Sequence, residues 1–315
     1  MTASLALQLR RRPVVSPLAI GLAAVLAAFV GLSLGSTMAK ATGSPGTVVA
    51  FWRFLAGAAV WHAIVAIRGA RRGSRWRVAP GAWRVATLPG IAFGVDLACF
   101  FSGVNHTPIA HAEFITALTP LVLIPVAAIT LRERVSRRTV VAGAVALAGV
   151  ALILSTAPAG GTSYLGDLLV LAAMATWVVH LMTARTARSR LDTADYMAVM
   201  STAAAATTLL IALTTGEGAA VTGLAPRGWI LVVLLALTAG VVSHGLIAWA
   251  QRRVPVSTIS MLQLAQPGLG VLWAATFLGE PVAGSQLLGM AIVLGAVGTI
   301  ARFAAQAPAA SSSPR

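Results

Sequence analysis

Charge is what this chain has least of. Only 10% of its 315 residues are charged, and just 8 of them are acidic. Soluble domains carry about 25% charged residues, so water cannot bathe this surface throughout. No hydrophilic stretch is long enough to form a soluble domain. Cysteine is nearly missing too: the lone Cys99 excludes an intramolecular disulfide and a cysteine-based metal site. The 5 histidines are too scattered for metal-ligand spacing. No Gly-rich stretch carries the Lys and Ser/Thr of a phosphate-binding loop, which argues against ATP-driven work. A membrane enzyme needs a nucleophile with its base, or a metal cluster, at one depth, and none is visible. The chain is therefore read as a non-enzyme without metal or other cofactor.

What is present suits lipid. Hydrophobic residues make up 58% of the chain and the mean hydropathy is +0.87. Apolar runs near 17–39, 46–67, 84–104, 107–130, 139–156, 164–184, 196–215, 228–250, 256–278 and 285–303 are each long enough to cross a bilayer. A helix needs about 20 such residues to span ~30 Å of hydrocarbon. Ten spans are expected, the least regular being the third, with Pro89 and Asp96, and the Ala/Thr-rich seventh. The basic cluster before residue 17 precedes a run too long for a signal-peptide core, so that run is read as a retained first helix.

The net charge of +15 invites a nucleic-acid reading, but its distribution argues otherwise. Arg10 to Arg12 precede the first span, and Arg68, Arg71, Arg72, Arg75, Arg77 and Arg84 lie between the second and third. Arg132, Arg134, Arg137 and Arg138 follow the fourth; Arg185, Arg188 and Arg190 the sixth; Arg252 and Arg253 the eighth; Arg302 and Arg315 the tenth. Alternate loops thus collect 20 of the 23 basic residues, with Lys40 and Arg227 opposite and Arg53 inside a span. The positive-inside rule places both termini in the cytoplasm, in the plasma (inner) membrane. A nucleic-acid groove would need those arginines on one face with aromatics between them. Lipid is the expected partner.

A duplication underlies the ten spans. Pro108, Pro120 and Glu133 are spaced 12 and 13 residues apart, and Pro255, Pro267 and Glu280 repeat both spacings 147 residues later. Thr119-Pro120 answers to Gln266-Pro267, and Leu131-Arg132-Glu133 to Leu278-Gly279-Glu280. Five spans per copy is an odd number, so the copies must cross in opposite directions. The fold class is all-α integral membrane: ten transmembrane helices as two inverted five-helix repeats, at 17–156 and 163–303. Residues 157–163 join them and 304–315 read as a disordered tail. Gly31 to Gly35 and Gly90 to Gly94 have close-packing spacing, which leaves a homodimer open.

Ionisable residues inside hydrocarbon cost at least ~2.5–3.5 kcal/mol each and are expected to face the bundle interior. Arg53, Asp96 and Glu113 are the three, each expected roughly 10–13 Å below one surface at 1.5 Å per residue. Glu113 is the first choice for function, as a proton carrier or substrate contact. On its helix it shares a face with Ala110, Thr116, Ala117 and Pro120. Pro120 removes a donor, leaving the Thr116 carbonyl to a side chain, water or ligand. The competing reading is a fixed Glu113–Arg53 ion pair. Asp96 either binds a substrate amine or neutralises Arg53. Arg53 is read chiefly as an ion-pair partner, although its fork can also clamp a carboxylate. One cation and two carboxylates leave a negative charge over, which suits an amino acid or amine.

The second half is polar but uncharged in the matching region. Ser257, Ser260, Gln263 and Pro267 share a face of span nine, with Gln266 beside them, and Pro267 frees the carbonyl of Gln263. The serines are read as packing. Gln263 and Gln266 stand equally for binding and packing, since amides also glue helices. Ser243 and His244 lie on span eight; His244 either relays protons or is satisfied by a backbone carbonyl, and His180 reads the same way. His111 and His62 are out of phase with Glu113 and Arg53, and His106 is expected in solvent.

These residues resemble the EamA-type transporters of the drug/metabolite transporter superfamily. The resemblance rests on the duplicated unit, the Pro120 to Glu133 and Pro267 to Glu280 segments, Arg53 early in the second span, and Gly166-Asp167-Leu168 opening the sixth. Ala112-Glu113-Phe114 followed by Thr119-Pro120 is similar to the branch exporting threonine and homoserine. The resemblance implies ten helices around a central cavity and, for function, secondary active efflux of a small metabolite by alternating access. The reading that competes is a non-transporting sensor or scaffold whose buried charges are structural pairs. Tags fused at either end should be accessible only from the cytoplasmic side in protease-protection mapping; opposite sides for the two would refute the span count.

Overall fold

The computed structural model describes residues 16–74, 77–155, 163–278 and 282–306. No strand occurs among them. The helices are α1 (Pro17–Ala41), α2 (Gly46–Arg71), α3 (Ala82–His106), α4 (Ile109–Ala117 and Thr119–Thr130), α5 (Arg137–Leu154), α6 (Tyr164–Arg190), α7 (Thr193–Thr214), α8 (Pro226–Ala250), α9 (Val256–Leu262 and Gln266–Leu278) and α10 (Gly284–Gln306). Among the described residues nine of these, all but α9, are long and apolar enough to cross a bilayer. The tenth expected crossing, α9, is one rod interrupted by the 3-10 turn Gln263–Ala265. Despite Pro89 and Asp96, α3 runs unbroken for 25 residues.

Local sequence sets the helix starts. Ser16, Ser136 and Ser163 accept from the amides of Ala19, Thr139 and Gly166, and Asp192 from those of Ala194 and Asp195. Each bond satisfies a first-turn N–H that has no helical partner. Pro45, Pro108 and Pro255 stand at the corresponding positions of α2, α4 and α9. The junction 156–162, Glu280 and Pro281 lie outside the described residues. The last helix continues to Gln306, three residues into the segment expected as tail.

The packing is symmetric under exchange of the two repeats. Helix α3 lies along α6, and α1 along α8; α2 meets α7, α4 meets α9 and α5 meets α10. Likewise α3 packs on α7, and α2 on α8. Adding five to both partners, with wrap-around, turns each of these contacts into another of them or into itself. The start of α4 touches the end of α9 and its end touches the start of α9, so the equivalent rods run antiparallel. Lipid gives no hydrophobic drive for this, so close approach at small residues carries it. A Cβ on Gly289 would sit 2.8 Å from the Gly149 carbonyl oxygen, which brings α5 and α10 backbone to backbone. Gly90 and Gly94 press on the α7 backbone at Met200 and Ala204, and Gly31 on Ser243. These glycine faces are consumed inside the chain and so supply no argument for a dimer. Ile129, Leu121, Leu168 and Ile230 point outward, as lipid contact requires.

One end of the bundle is tied across the repeats. The Glu133 carboxylate, beyond α4, accepts from the amides of Val256 and Ser257 at 3.1 Å each and from the Ser257 hydroxyl at 2.6 Å. It thereby caps the first turn of α9. Arg188, buried at the end of α6, donates to the carbonyls of Ala248 (2.7 Å) and Leu191 and to the Thr193 hydroxyl (2.7 Å). Arg185 donates to the Val254 carbonyl at 3.2 Å. Glu133→Ala should lower stability by about 1–3 kcal/mol, the cost of stranding partly buried donors, with Glu133→Gln milder. Unfolding titrations of the purified protein in mixed detergent would check the order.

Candidate functional site

Polar residues of both repeats converge on one cavity holding about 680 Å³ of empty volume, part of it open to solvent. Arg53 of α2, Asp96 of α3, and Glu113 with Thr116 of α4 come from the first repeat. His244 of α8 and Gln263 with Gln266 of α9 come from the second. The apolar walls include Phe93, Phe100, Phe101 and Leu235. Pro120 and Pro267 do not line the cavity; each is the second residue of the resumed helix after a break.

The three charges are staggered rather than level. Arg53 lies seven residues in from Gly46, Glu113 four in from Ile109, and Asp96 ten back from His106. At 1.5 Å per residue those depths are roughly 10, 6 and 15 Å. Neither of the alternative ion pairs forms: no contact within 4.0 Å joins Arg53 to Asp96 or to Glu113. Arg53 is 2% exposed, yet its Nε and Nη1 have no hydrogen-bond partner. Its guanidinium instead lies 5.2 Å from the Phe54 ring centre and 5.7 Å from that of Phe93, within cation–π range. Glu113 is held from a third helix, its Oε1 accepting from the Ser36 hydroxyl at 2.9 Å.

Both proline breaks are healed locally. The Thr119 hydroxyl donates to the Thr116 carbonyl at 2.5 Å, so of the side chain, water or ligand expected there it is a side chain that takes the group. In α9 the Gln266 amide donates to the Gln263 carbonyl through the 3-10 turn. Both carbonyls freed by the prolines thus have a donor within the chain. The serines of α9 face away from it. Ser257 belongs to the Glu133 cap, and Ser260 donates to the Ser257 carbonyl at 2.9 Å.

Sequence reasoning missed Ser36 and the aromatic wall. Trp177 of α6 donates through Nε1 to Gln263 Oε1 at 3.0 Å and stacks on His180 with 5.1 Å between centres. Phe93 packs among Trp177, His180 and His244, at 5.7, 4.5 and 4.5 Å. His180 Nδ1 donates to the Pro89 carbonyl at 2.9 Å, the backbone-satisfied alternative, and His180 does not line the cavity. An aromatic inside an apolar run reads as packing, and a serine in a small-residue run reads the same way. Neither carried a signal. Of the discounted histidines, His62 bonds Thr202 and His111 lies 3.8 Å from Asp167. No cluster among the described residues brings together three His, Cys, Asp or Glu that could hold a metal.

A model of the EamA-like transporter family matches residues 18–155 and, a second time, 164–302. The chain belongs to the EamA-like transporter family. Its repeats are thus the two copies of that unit, and the protein is a multi-pass membrane protein of a transporter family in the drug/metabolite transporter superfamily. No curated protein matches the chain. Of solved structures, 29 chains match. One, described as "Crystal structure of protein", is 22% identical, covers 91% of this chain and 97% of its own, and superposes with a TM-score of 0.73. At that identity it shows the fold alone. In this EamA-like protein the cavity sits where the two repeats face each other, between helices that the family model assigns to different copies. Thr119→Val keeps the shape but removes the donor to the part-buried Thr116 carbonyl. It should cost about 1–3 kcal/mol, read as a lower unfolding midpoint of the purified protein.

Proposed function

We propose that this EamA-like protein is a secondary active transporter that exports a small polar or amphipathic metabolite, such as an amino acid or amine, in exchange for protons. One observation carries the reading: Arg53, Asp96 and Glu113 from one repeat meet His244, Gln263 and Gln266 from the other around a single void. Charges that cost several kcal/mol in hydrocarbon are kept there without an ion pair to close them. Such a wall supports a polar occupant. A scaffold whose charges served only as fixed pairs would join Arg53 to a carboxylate, and it does not.

Two carboxylates against one guanidinium leave room for a bound ammonium or a proton. That excess supports Glu113 or Asp96 as the group that alternates between proton and substrate. The hydrogen-bonded end at Glu133, Arg185 and Arg188 supports alternating access, because the cavity walls come from the opposite halves of α1 to α4. By the arginine distribution that end is cytoplasmic, as are both termini, in the plasma (inner) membrane. Export rests on the similarity of Ala112-Glu113-Phe114 and Thr119-Pro120 to the threonine and homoserine branch.

Glu113→Gln should remain inserted but lose proton-coupled flux at least tenfold in proteoliposomes carrying a pH gradient. A panel of radiolabelled amino acids and amines would supply the cargo. Flux that persists with unchanged pH dependence would remove Glu113 from the coupling role.

A further inference from the structure

An indole N–H can only donate, whereas a glutamine amide carries an acceptor at one end and two donors at the other. Trp177 Nε1 lies 3.0 Å from Gln263, so the amide oxygen must face the indole. The amide nitrogen is thereby turned the other way, and Gln263 is a cavity wall. The indole itself is pinned, being stacked on His180, which is anchored to the Pro89 carbonyl of α3. Across the same Phe93 ring sits Arg53, with Nε and Nη1 unpartnered. A buried donor left without a partner is costly, and a ligand oxyanion would relieve it.

We propose that Trp177 is a specificity-determining positioning residue. By fixing the amide of Gln263 it presents a donor to the cavity together with the unpaired guanidinium of Arg53. This part of the wall then selects substrates that carry a carboxylate over the same molecules without one. The proposal rests on the reading that the site takes a small amine-bearing metabolite. Asp96 and Glu113 line the same cavity and repel a bare acid, so the occupant carries its own ammonium as well.

Three probes of one side-chain shape separate these ideas: L-leucine, 3-methylbutylamine without the carboxylate, and 4-methylpentanoate without the amine. Their binding to the purified full chain in detergent is measured by isothermal titration calorimetry. Wild type should favour L-leucine over the amine by at least tenfold and bind the acid most weakly. Trp177→Phe, which keeps a ring but no donor, should weaken L-leucine about tenfold, the worth of one hydrogen bond to a charged acceptor, and leave the amine unchanged. Gln263→Leu should do the same, and the double variant should be no worse than Gln263→Leu alone, because Trp177 acts through Gln263.

Equal losses for L-leucine and the amine in Trp177→Phe, or additive losses in the double variant, would reduce Trp177 to packing and overturn the proposal. Equal affinity of wild type for L-leucine and the amine would overturn it while leaving the amine-transport reading intact. Binding of neither would remove both. Should Trp177→Phe fail to insert, Gln263→Leu decides alone: an unchanged ratio of L-leucine to amine affinity overturns the proposal.

Discussion

Hydrocarbon offers no hydrogen bonds, so each polar atom within this bundle must find a partner in the protein or keep a cavity for one. The breaks in α4 and α9 show the first solution. The carbonyls released by Pro120 and Pro267 are taken by the Thr119 hydroxyl and the Gln266 amide. Arg188 shows it again, spreading its donors over two carbonyls and a hydroxyl without an ion pair. Arg53 is the contrast, equally buried but with two donors unmet. Those two unmet donors belong to a residue that lines the cavity between the repeats.

Duplication supplies the frame, and divergence between the copies supplies the chemistry. The main helix contacts have their counterparts five spans away, so one packing solution is used twice. At the centre of that frame α4 and α9 face each other in antiparallel sense. The 147-residue offset sets Glu113 against Ser260 and Thr116 against Gln263. One copy thus contributes a carboxylate where the other has a hydroxyl folded back onto its own helix. The cavity is charged on one side and amide-bearing on the other, although the scaffold beneath is nearly symmetric. The same offset pairs Glu133 with Glu280, and Glu133 serves as a cap joining the copies rather than as a site residue.

How far the chain could be read in advance depended on what kind of fact was sought. The cavity residues Arg53, Asp96, Glu113, Thr116, His244, Gln263 and Gln266 were legible because a polar group in an apolar run is conspicuous and must face inward. Their partners were not. Ser36 sits in a run of small residues where a hydroxyl reads as helix packing, and Trp177 looks like another apolar filler. Depth along a helix was read from the ends of the apolar runs, and the helix ends differ from them. Helix α4 begins at Ile109, and that moves Glu113 a turn nearer the surface than Arg53. The glycine pairs with close-packing spacing seat α3 on α7 and α1 on α8.

By itself the sequence determined the ten crossings, their sidedness as a proposal from the arginines, and the twofold repetition. Those follow from transfer energies and charge placed in order along the chain, a one-dimensional property that needs no neighbour to be known. The tertiary structure alone decided which polar atoms meet: Ser36 with Glu113, Trp177 with Gln263, and Arg53 Nε and Nη1 with none among the described residues. Such meetings depend on the rotation and axial offset of each helix against the next. Close backbone contacts at positions such as Gly149 and Gly289 set those offsets, and a residue's spacing within its own span does not contain them.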